Sequence, residues 1–487
     1  MARPTGLGSA GPDRSRDRLT GGNLHFMGIG GAGMCALAEA VARRGGRVSG
    51  CDLAPGESVR SLERLGVRVY PEHGVAHLDG AGALVISSAI PADHPEILAA
   101  ARAGIPVWKR AEALGAWVGA GRVVAVSGTH GKTTTTAMIT EILARAGRDP
   151  TGFAGGWVPE WDGHLRPGGD ELFVVEADEY DRSFHHLRPS LAVVTNVDAD
   201  HLDTYGDMAG VREGFLGFLA GMARGGPVLV CADDPGAASL IPWLGSPPRT
   251  FGFSPGSQLR GRDLSLAAAG SRIRIVEDGR RRGVLEIGIA GRHNAKNALA
   301  AAAAARLLGV GWQAIRASLR DFSGVVRRFQ RLGTAAGVTV VDDYAHHPRE
   351  VSAAIGAART SFPDRRLVAV FQPHLFTRTR DFAGAFASAL ARADAVWITE
   401  IYAARESPIP GIDGEFVALA VEQASADAPE RSPEVRFHRE VDSLPTALAE
   451  ALRPGDLCLT LGAGSIGEVG PALVRRLRAR RAGGHDA

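Results

Sequence analysis

Cysteine is scarce. Cys35, Cys51, Cys231 and Cys458 are the four in 487 residues, scattered and with no CxxC pair. That pattern excludes a disulfide framework, implies no thiol chemistry, and predicts reduced, mostly buried thiols in a cytoplasmic protein. Net charge is nearly absent as well: 55 Lys+Arg against 53 Asp+Glu leave +2. A balance so close to neutral argues against a broad nucleic-acid or membrane-surface footprint, while local phosphate sites stay open. No apolar run approaches the roughly 18 residues of a membrane span. Residues 1–22 are rich in Gly, Arg, Pro and Asp and lack the apolar core of a secretory signal, so they are expected to form a disordered tail. What is abundant is glycine, at 63 residues, and apolar residues, at 45%. With a length that suggests about three domains, this composition predicts several cores with many tight turns.

The most informative stretch is 123–136, VVAVSGTHGKTTTT. Residues 123–126 predict a buried strand. It runs into Ser127-Gly128-Thr129-His130-Gly131-Lys132-Thr133-Thr134 and then a helix with Met138, Ile139, Ile142 and Ala146 on one face, ending at Gly147. Strand, glycine loop, Lys-Thr and helix is the layout of a phosphate cradle. Backbone N–H groups close around phosphate oxygens, the helix start and Lys132 add positive charge, and the Thr133 hydroxyl suits a Mg²⁺ ligand position. Val126 stands where the GxxxxGK[ST] form has Gly, so the motif is the shorter GxxGKT. The plainer reading is a glycine turn with a solvated Lys132.

Upstream, 24–27 predicts a strand leading into Gly28-Ile29-Gly30-Gly31-Ala32-Gly33, followed by a helix through Met34, Leu37, Ala38 and Val41 up to Gly45-Gly46. A second strand, 47–50, precedes Asp52. GxGxxG with an acidic residue about 20 positions on is the dinucleotide fingerprint. It places a phosphate of a nucleotide-like ligand at the helix start and leaves open a dinucleotide or a UDP-sugar, with Asp52 near the ribose or base. A ligand-free glycine turn is the alternative. The strand at 83–87 ends in a polar lip, Ser87-Ser88-Ala89-Ile90-Pro91. A strand at 105–107 precedes Lys109-Arg110, an anion contact or, more commonly, a solvated turn. The first domain is expected to end near 117–121.

Beyond the cradle, strands at 172–176 and 191–195 each deliver acids: Glu176-Ala177-Asp178-Glu179, and Asp198, Asp200 and Asp203 around His201. Apolar strands ending in carboxylates are costly unless a cation faces them. Mg²⁺ takes only one or two protein carboxylates, so most of these acids are not ligands; Asp198 and Asp203 suit helix caps. A strand at 228–231 precedes Asp233-Asp234. Residues 272–276 and 284–289 predict a hairpin around Asp278-Gly279. An Ala-rich helix opens at 291–297 and reaches Leu308, with Asn294 an N-cap by default or a reader of an adenine edge. A third domain starts at 321–328. Its strands at 338–341, 367–371, 396–399 and 457–461 deliver Asp342-Asp343-Tyr344-Ala345-His346-His347, Gln372-Pro373-His374, Glu400 and Gly462-Ala463-Gly464-Ser465-Ile466-Gly467. The last glycines suit a second phosphate contact or a close-packed turn. The fold class is therefore α/β: a Rossmann-like domain at 23–120, a P-loop-type ATP-binding domain at 121–325 and a Rossmann-like domain at 326–487.

The segments HFMGIGGAGM, SGTHGKTTTT, VVEADEYDRSF, TNVDADHLDTYGD, GRHNAKNALAA, RRFQRLG, VDDYAHHP, FQPHLFTRTRDF and LTLGAGSIG occur in this order. Together they resemble the Mur ligases of bacterial cell-wall synthesis, most closely the alanine-adding branch. The resemblance implies that ATP phosphorylates the lactyl carboxylate of UDP-N-acetylmuramate and that the amine of L-alanine attacks the acyl phosphate. It implies ATP and Mg²⁺ as cofactors, two small-molecule substrates, no nucleic acid and no membrane insertion, and leaves monomer or homodimer open. Gly28, Ile29, Gly30, Gly31 and Gly33 would hold the UDP diphosphate, with Asp52 and Ser87 beside it. Gly128, Thr129, His130, Gly131, Lys132, Thr133 and Thr134 would hold the ATP phosphates. Thr133, Glu176 and His201 would be the metal ligands, and His293 and Asn294 would meet the adenine. Arg327 and Asp343 would close over the nucleotide; Tyr344, His346, Arg378 and Arg380 would line the amino-acid side. Lys132, Glu176, His201, His346 and Arg378 form the implied catalytic set, and domain closure would exclude water.

Two departures from the family pattern stand out: Tyr180 where many members have Ser, and Leu375-Phe376 where several have Arg-Tyr. Both leave the reaction class untouched; the first bears on substrate selection at the muramate side. The competing readings are a recycling ligase that adds a preformed peptide to UDP-N-acetylmuramate, a nicotinamide-dependent oxidoreductase built on the first glycine loop, and a nucleotide-gated binding protein.

Overall fold

Three sheets carry the twenty-one strands of the described residues, which are Leu19, 22–54, 56–404, 406–426 and 432–483 in a computed structural model. Apart from Leu19 and Gly22, the tail expected at 1–22 lies outside the described residues. The first sheet holds β1 (Asn23–Met27), β2 (Arg47–Cys51), β3 (Arg68–Tyr70), β4 (Ala83–Ile86) and β5 (Val107–Lys109), ordered β3-β2-β1-β4-β5. Every pairing is parallel. Helix α1 (Ala32–Arg43) returns the chain from β1 to β2, and α2 (Pro95–Arg102) leads into β5. The strand order reverses between β1 and β4, so the loops after Met27 and Ile86 flank the crevice where open α/β sheets take ligands.

The second sheet has ten strands: β6 (Arg122–Ser127), β7 (Thr151–Val158), β8 (Gly163–Arg166), β9 (Leu172–Glu176), β10 (Leu191–Val194), β11 (Val228–Cys231), β12 (Arg249–Gly252), β13 (Leu259–Ala267), β14 (Gly270–Glu277) and β15 (Arg280–Ile287). Strand β6 lies between β10 and β9, parallel to both, and Val123 to Val126 are at most 1% exposed. An all-apolar run needs burial on both faces, which a central strand provides. The chain then enters α3 (Lys132–Arg145), whose Met138, Ile139, Ile142 and Leu143 are buried. In the same unit, α4 (Met208–Ala220) supplies Phe215 and Phe218 to Phe184, which stacks on Phe218 at 4.8 Å and meets Phe215 edge-on at 5.3 Å. Helix α5 (Arg292–Leu307) is built largely of alanine and buried throughout 298–305.

The third sheet holds β16 (Gln330–Ala335), β17 (Val338–Asp343), β18 (Leu367–Phe371), β19 (Ala395–Ile398), β20 (Glu434–Phe437) and β21 (Leu457–Leu461), ordered β16-β17-β21-β18-β19-β20. Only β16 runs antiparallel within it. One apolar cluster, with Ile355 of α6 (Pro348–Ser361) and Phe386 of α7 (Phe376–Leu390), covers one face of this sheet; a second, with Leu448 and Leu473, holds the other. The chain forms two compact units. The first runs to Asp263 and adds Ile273–Leu285 and Lys296–Phe322; the second comprises Leu264–Arg272, Glu286–Ala295 and the chain from Ser323 onward.

The central strands match their sequence expectations to within a residue or two. The strand expected at 105–107 starts at Val107, because Pro106 has no N–H to give a ladder. Strands β3, β7, β8, β12, β16 and β20 lacked a signal because they are short, glycine-rich or at a sheet edge, where one side meets solvent and no apolar run is required; β13, inside the sheet, lacked one because polar residues interrupt it and most of its residues are at least partly exposed. Asn294 is not the cap of α5. It lies inside the helix, and its Nδ2 donates to the Ala290 carbonyl at 2.7 Å. Asp198 and Asp203 are not caps either, since His201 takes the N-cap position of the short helix Leu202–Tyr205.

Phe184→Ala is expected to lower stability by about 3–5 kcal/mol, because it empties a stacked, fully buried aromatic site; urea unfolding measures the loss.

Candidate active site

The loop after β6 is shaped before any ligand arrives. Gly128 has φ +132°, and a Cβ there would collide with the Thr195 hydroxyl; Gly131 has φ +81° at the N-cap of α3, with the Asn297 side chain against its Cα. Both positions need glycine for conformation and for space. The end of β10 ties the loop down. Asn196 Oδ1 accepts from His130 N–H at 2.7 Å, the Thr195 hydroxyl and Asn196 Nδ2 both donate to the His130 carbonyl at 2.8 Å, and Thr129 Oγ1 accepts from Asp198 N–H at 2.9 Å. Four hydrogen-bonding groups from the end of β10 thus converge on two loop residues.

Lys132 does not point into solvent. Its Nζ lies 2.8 and 3.0 Å from the two Glu179 carboxylate oxygens and donates to the carbonyls of Gly128 at 2.8 Å and Thr129 at 3.2 Å. The Lys132 and Glu179 side chains are 12% and 3% exposed. Burial works against both charges. The neighbouring carboxylates of Glu179, Asp178 and Glu176 nevertheless hold the Lys132 ammonium protonated and above its ordinary range, while burial pushes the Glu179 carboxyl up to about 7. The plainer reading, a solvated Lys132, is therefore incorrect: the side chain is drawn in by a carboxylate that needs a partner.

The acids divide into two groups. Glu176 Oε1 accepts from the Thr133 hydroxyl at 2.9 Å, and its Oε2 accepts from Gly155 N–H at 2.5 Å. His201, held at φ +52°, brings Nε2 to 4.0 Å from a Glu179 oxygen, and Asp178, Glu179 and His201 offer three donor atoms within 4.8 Å of one another. Oxygen donors with one imidazole and a nearby hydroxyl fit a hard divalent cation that keeps several waters. Thr133 and Glu176 are brought together as expected; His201 instead joins Asp178 and Glu179. Glu179 was visible only as one acid among several. Tyr180 packs its ring against His201 at 5.1 Å, so this departure from the family pattern touches the candidate metal residue directly.

In the first sheet, Gly28 has φ +79° and little room before Ser87, and Ile29 is fully buried. Asp52 reaches back to the loop: Oδ2 accepts from Gly30 N–H at 2.8 Å and Oδ1 from Ala54 N–H at 3.0 Å. Arg110 lies against Gly33, and Lys109 pairs with Asp181 at 2.6 Å at the surface.

In the second unit, the Arg327 guanidinium donates to Asp342 Oδ2 at 3.0 Å and to the Gly462 carbonyl at 2.6 Å, and it lies over the Tyr344 ring at 5.1 Å. Gly467 leaves no room for a Cβ beside it, so the terminal glycine segment is a close-packed turn around Arg327. Asp343 accepts from Phe329 and Ala345 N–H groups at 2.7 and 2.8 Å. His346 meets Tyr344 at 5.4 Å and His374 at 5.6 Å, and His374 stacks on Tyr402. His374, named only as part of a strand end, and Tyr402 join this aromatic group. Arg378 is 9% exposed, whereas Arg380 is exposed and paired with Asp381 at 2.7 Å. His293 lies edge-on to Phe329 at 6.5 Å. Leu375, in the second departure, is buried at φ +67°, an unusual conformation for a non-glycine residue.

Models of known families match in three consecutive stretches: the catalytic domain of the Mur ligase family at 23–122, the Mur ligase middle domain at 126–305, and the glutamate ligase domain of Mur ligases at 327–464. The chain is 42% identical over 462 residues to a UDP-N-acetylmuramate–L-alanine ligase of Burkholderia cenocepacia, covering 94% of this chain and 98% of that one. It is 44% identical over 469 residues to the corresponding ligase of Methylibium petroleiphilum, with the same coverage. Among solved structures, the UDP-N-acetylmuramate-alanine ligase of Thermotoga maritima superposes with a TM-score of 0.81 at 27% identity, over 94% of this chain and all of that one.

Two outcomes are expected from this geometry. Glu179→Gln leaves Lys132 buried beside a neutral amide and should cost up to about 3 kcal/mol without ligand; thermal unfolding should then show a larger ATP-induced rise in Tm for the variant than for the parent. Burial also pushes the Asp343 carboxyl up to about 7 against the pull of Arg328. The native second unit thus holds a proton that the unfolded chain has already released, and its stability should fall as pH rises from about 4 to about 7, then level off. Amide-exchange protection in β17 and β21 should follow that slope, and Asp343→Asn should flatten it.

Proposed function

The chain belongs to the Mur ligase family, and we propose that it joins L-alanine to the lactyl carboxylate of UDP-N-acetylmuramate with consumption of ATP, in the cytoplasm, as a step of peptidoglycan precursor synthesis. The observation that carries this reading is the likeness to alanine-adding ligases over nearly the whole chain. The preshaped loop at 128–134 and the carboxylates around it support it. The domain limits that go with the reading are 23–120, 121–325 and 326–487.

The residue roles follow from chemistry. Gly128, Thr129, His130, Gly131, Lys132, Thr133 and Thr134 take the ATP phosphates. Lys132 exchanges the Glu179 carboxylate for a phosphate oxygen and stabilises the charge that develops on the transferred group. The lactyl carboxylate attacks the terminal phosphorus and ADP leaves; the alanine amine then attacks the acyl carbon and phosphate leaves. Thr133, Glu176 and His201, with Asp178 and Glu179, would hold Mg²⁺, which when bound neutralises phosphate charge. Glu176 is already aimed by its bonds to Thr133 and Gly155 N–H. Gly28, Ile29, Gly30, Gly31, Gly33 and Ser87 receive the UDP diphosphate, while Asp52 holds their loop in shape. His293 and Asn294 serve the adenine, and Arg327 and Asp343 fix the segment that leads to Tyr344. Tyr344, His346 and Arg378 form the amino-acid side, with Arg380 adding charge from the surface.

The deciding measurement is ADP release with UDP-N-acetylmuramate and Mg²⁺ across L-alanine, glycine, L-serine and a cell-wall tripeptide. Release that depends on L-alanine and stops with EDTA is expected. Release with the tripeptide alone would make the chain a recycling ligase, and turnover independent of any amino acid would remove bond formation altogether.

A further inference from the structure

We propose that the first sheet carries a second metal site, a structural zinc-type site made by His25, Cys51, His77 and Glu96, apart from the phosphate loop and its acids. The four side chains come from β1, the end of β2, the segment after β3 and the first turn of α2. One donor atom from each lies within 4.8 Å of all the others. His25 and Cys51 are fully buried, Glu96 is 1% exposed, and His77 is half-buried.

Three of the four donors have no hydrogen-bond partner among the described residues: His25 Nε2, His77 Nδ1 and Glu96 Oε2. Buried polar atoms are nearly always satisfied. Three orphans facing one another, two of them on side chains at least 99% buried, mark a place built for something with empty orbitals rather than for more packing.

The surroundings aim these atoms. Ser49 Oγ lies 2.9 Å from His25 Nδ1, and accepting that N–H leaves the lone pair of His25 on Nε2. Gly74 N–H donates to Glu96 Oε1 at 2.5 Å, which turns Oε2 inward. The Tyr70 ring stacks on His77 at 3.9 Å and fixes the imidazole plane. His73 Nδ1 lies 3.0 Å from Cys51 Sγ, placed to donate to a thiolate. Ligands held by such outer partners are the usual arrangement of metal centres.

The donor set selects the ion. Two imidazoles, one thiolate and one carboxylate suit Zn²⁺ and its Co²⁺ surrogate, whereas Mg²⁺ takes oxygen. One thiolate and one carboxylate cancel the double charge, so the loaded site is neutral, as a buried site should be. Burial keeps His25 neutral, with its pKa lowered to about 4, and so available as a ligand. The Cys51 proton leaves to solvent on binding. Bonds of about 2.0–2.3 Å to a tetrahedral ion require donors about 3.3–3.8 Å apart, so the cluster, with His25 Nε2 4.0 Å from Glu96 Oε2, would draw in around the metal.

The test uses the full chain, stripped by chelator, kept reduced, and titrated with Co²⁺ in excess Mg²⁺ to occupy the phosphate-loop acids. One equivalent should bind with the intense visible bands of a tetrahedral site and a near-ultraviolet thiolate-to-cobalt band, and Zn²⁺ should displace it. Cys51→Ser should lose the thiolate band, and His77→Asn should weaken binding by at least about tenfold. A parent chain without the thiolate band overturns the proposal, and so does a band that survives in Cys51→Ser or unchanged affinity in His77→Asn.

Discussion

The buried pair of Lys132 and Glu179 is the constraint on which the nucleotide site depends. A lysine beside a phosphate must be charged, and a charged lysine that is 12% exposed must have a partner when phosphate is absent. Glu179 is that partner, drawn from the end of β9 by the turn that follows it. The requirement reaches further: Phe184 locks the segment carrying Glu179 onto α4, Tyr205 donates to the Glu179 carbonyl, and the end of β10 clamps the loop from the other side. Contacts from three elements thus hold the partner of one cation and the loop that carries it. On the proposed function, nucleotide binding would be an exchange of anions at Lys132, and the carboxylate set free would be at hand for a divalent ion. Phosphate and metal binding would then be coupled by that exchange in both directions.

The sequence made the central strands legible because burial on both faces leaves little choice of residue. Strands β6, β9, β10, β11, β18 and β21 are mostly apolar runs of four to six residues, each delivered into a polar or glycine segment. The two glycine loops were legible for the same kind of reason, since positive φ and contact with neighbouring backbone leave only glycine. Edge strands carry no such restriction. The hairpin of β7 and β8, rich in glycine, and β20, alternately exposed, could not be distinguished from loop.

In the site, residue types were legible and their partners were not. Glu176 and Glu179 stand three residues apart at one strand end, and nothing in their spacing says that the first takes Thr133 and the second Lys132. Asp52 was expected near the ribose or base; its two oxygens also accept from the N–H groups of Gly30 and Ala54. The only signal for such a role is proximity after folding. Cys51 and His77 illustrate the same limit: more than twenty residues separate them in sequence, and they converge only because β1, β2 and the segment after β3 end on one side of a parallel sheet.

Arg327 shows how a residue assigned to a ligand can also belong to the frame. Its guanidinium is bound by Asp342 and by the Gly462 carbonyl, stacked over Tyr344, and enclosed by a turn that admits only glycine at position 467. It therefore fastens the first strands of the last sheet to the chain's final turn. Loss of turnover on replacing it cannot be assigned to a missing nucleotide contact, because the same change unties the sheet. Kinetic and folding phenotypes are fused at this position, and its neighbours Asp342 and Gly467 inherit the ambiguity.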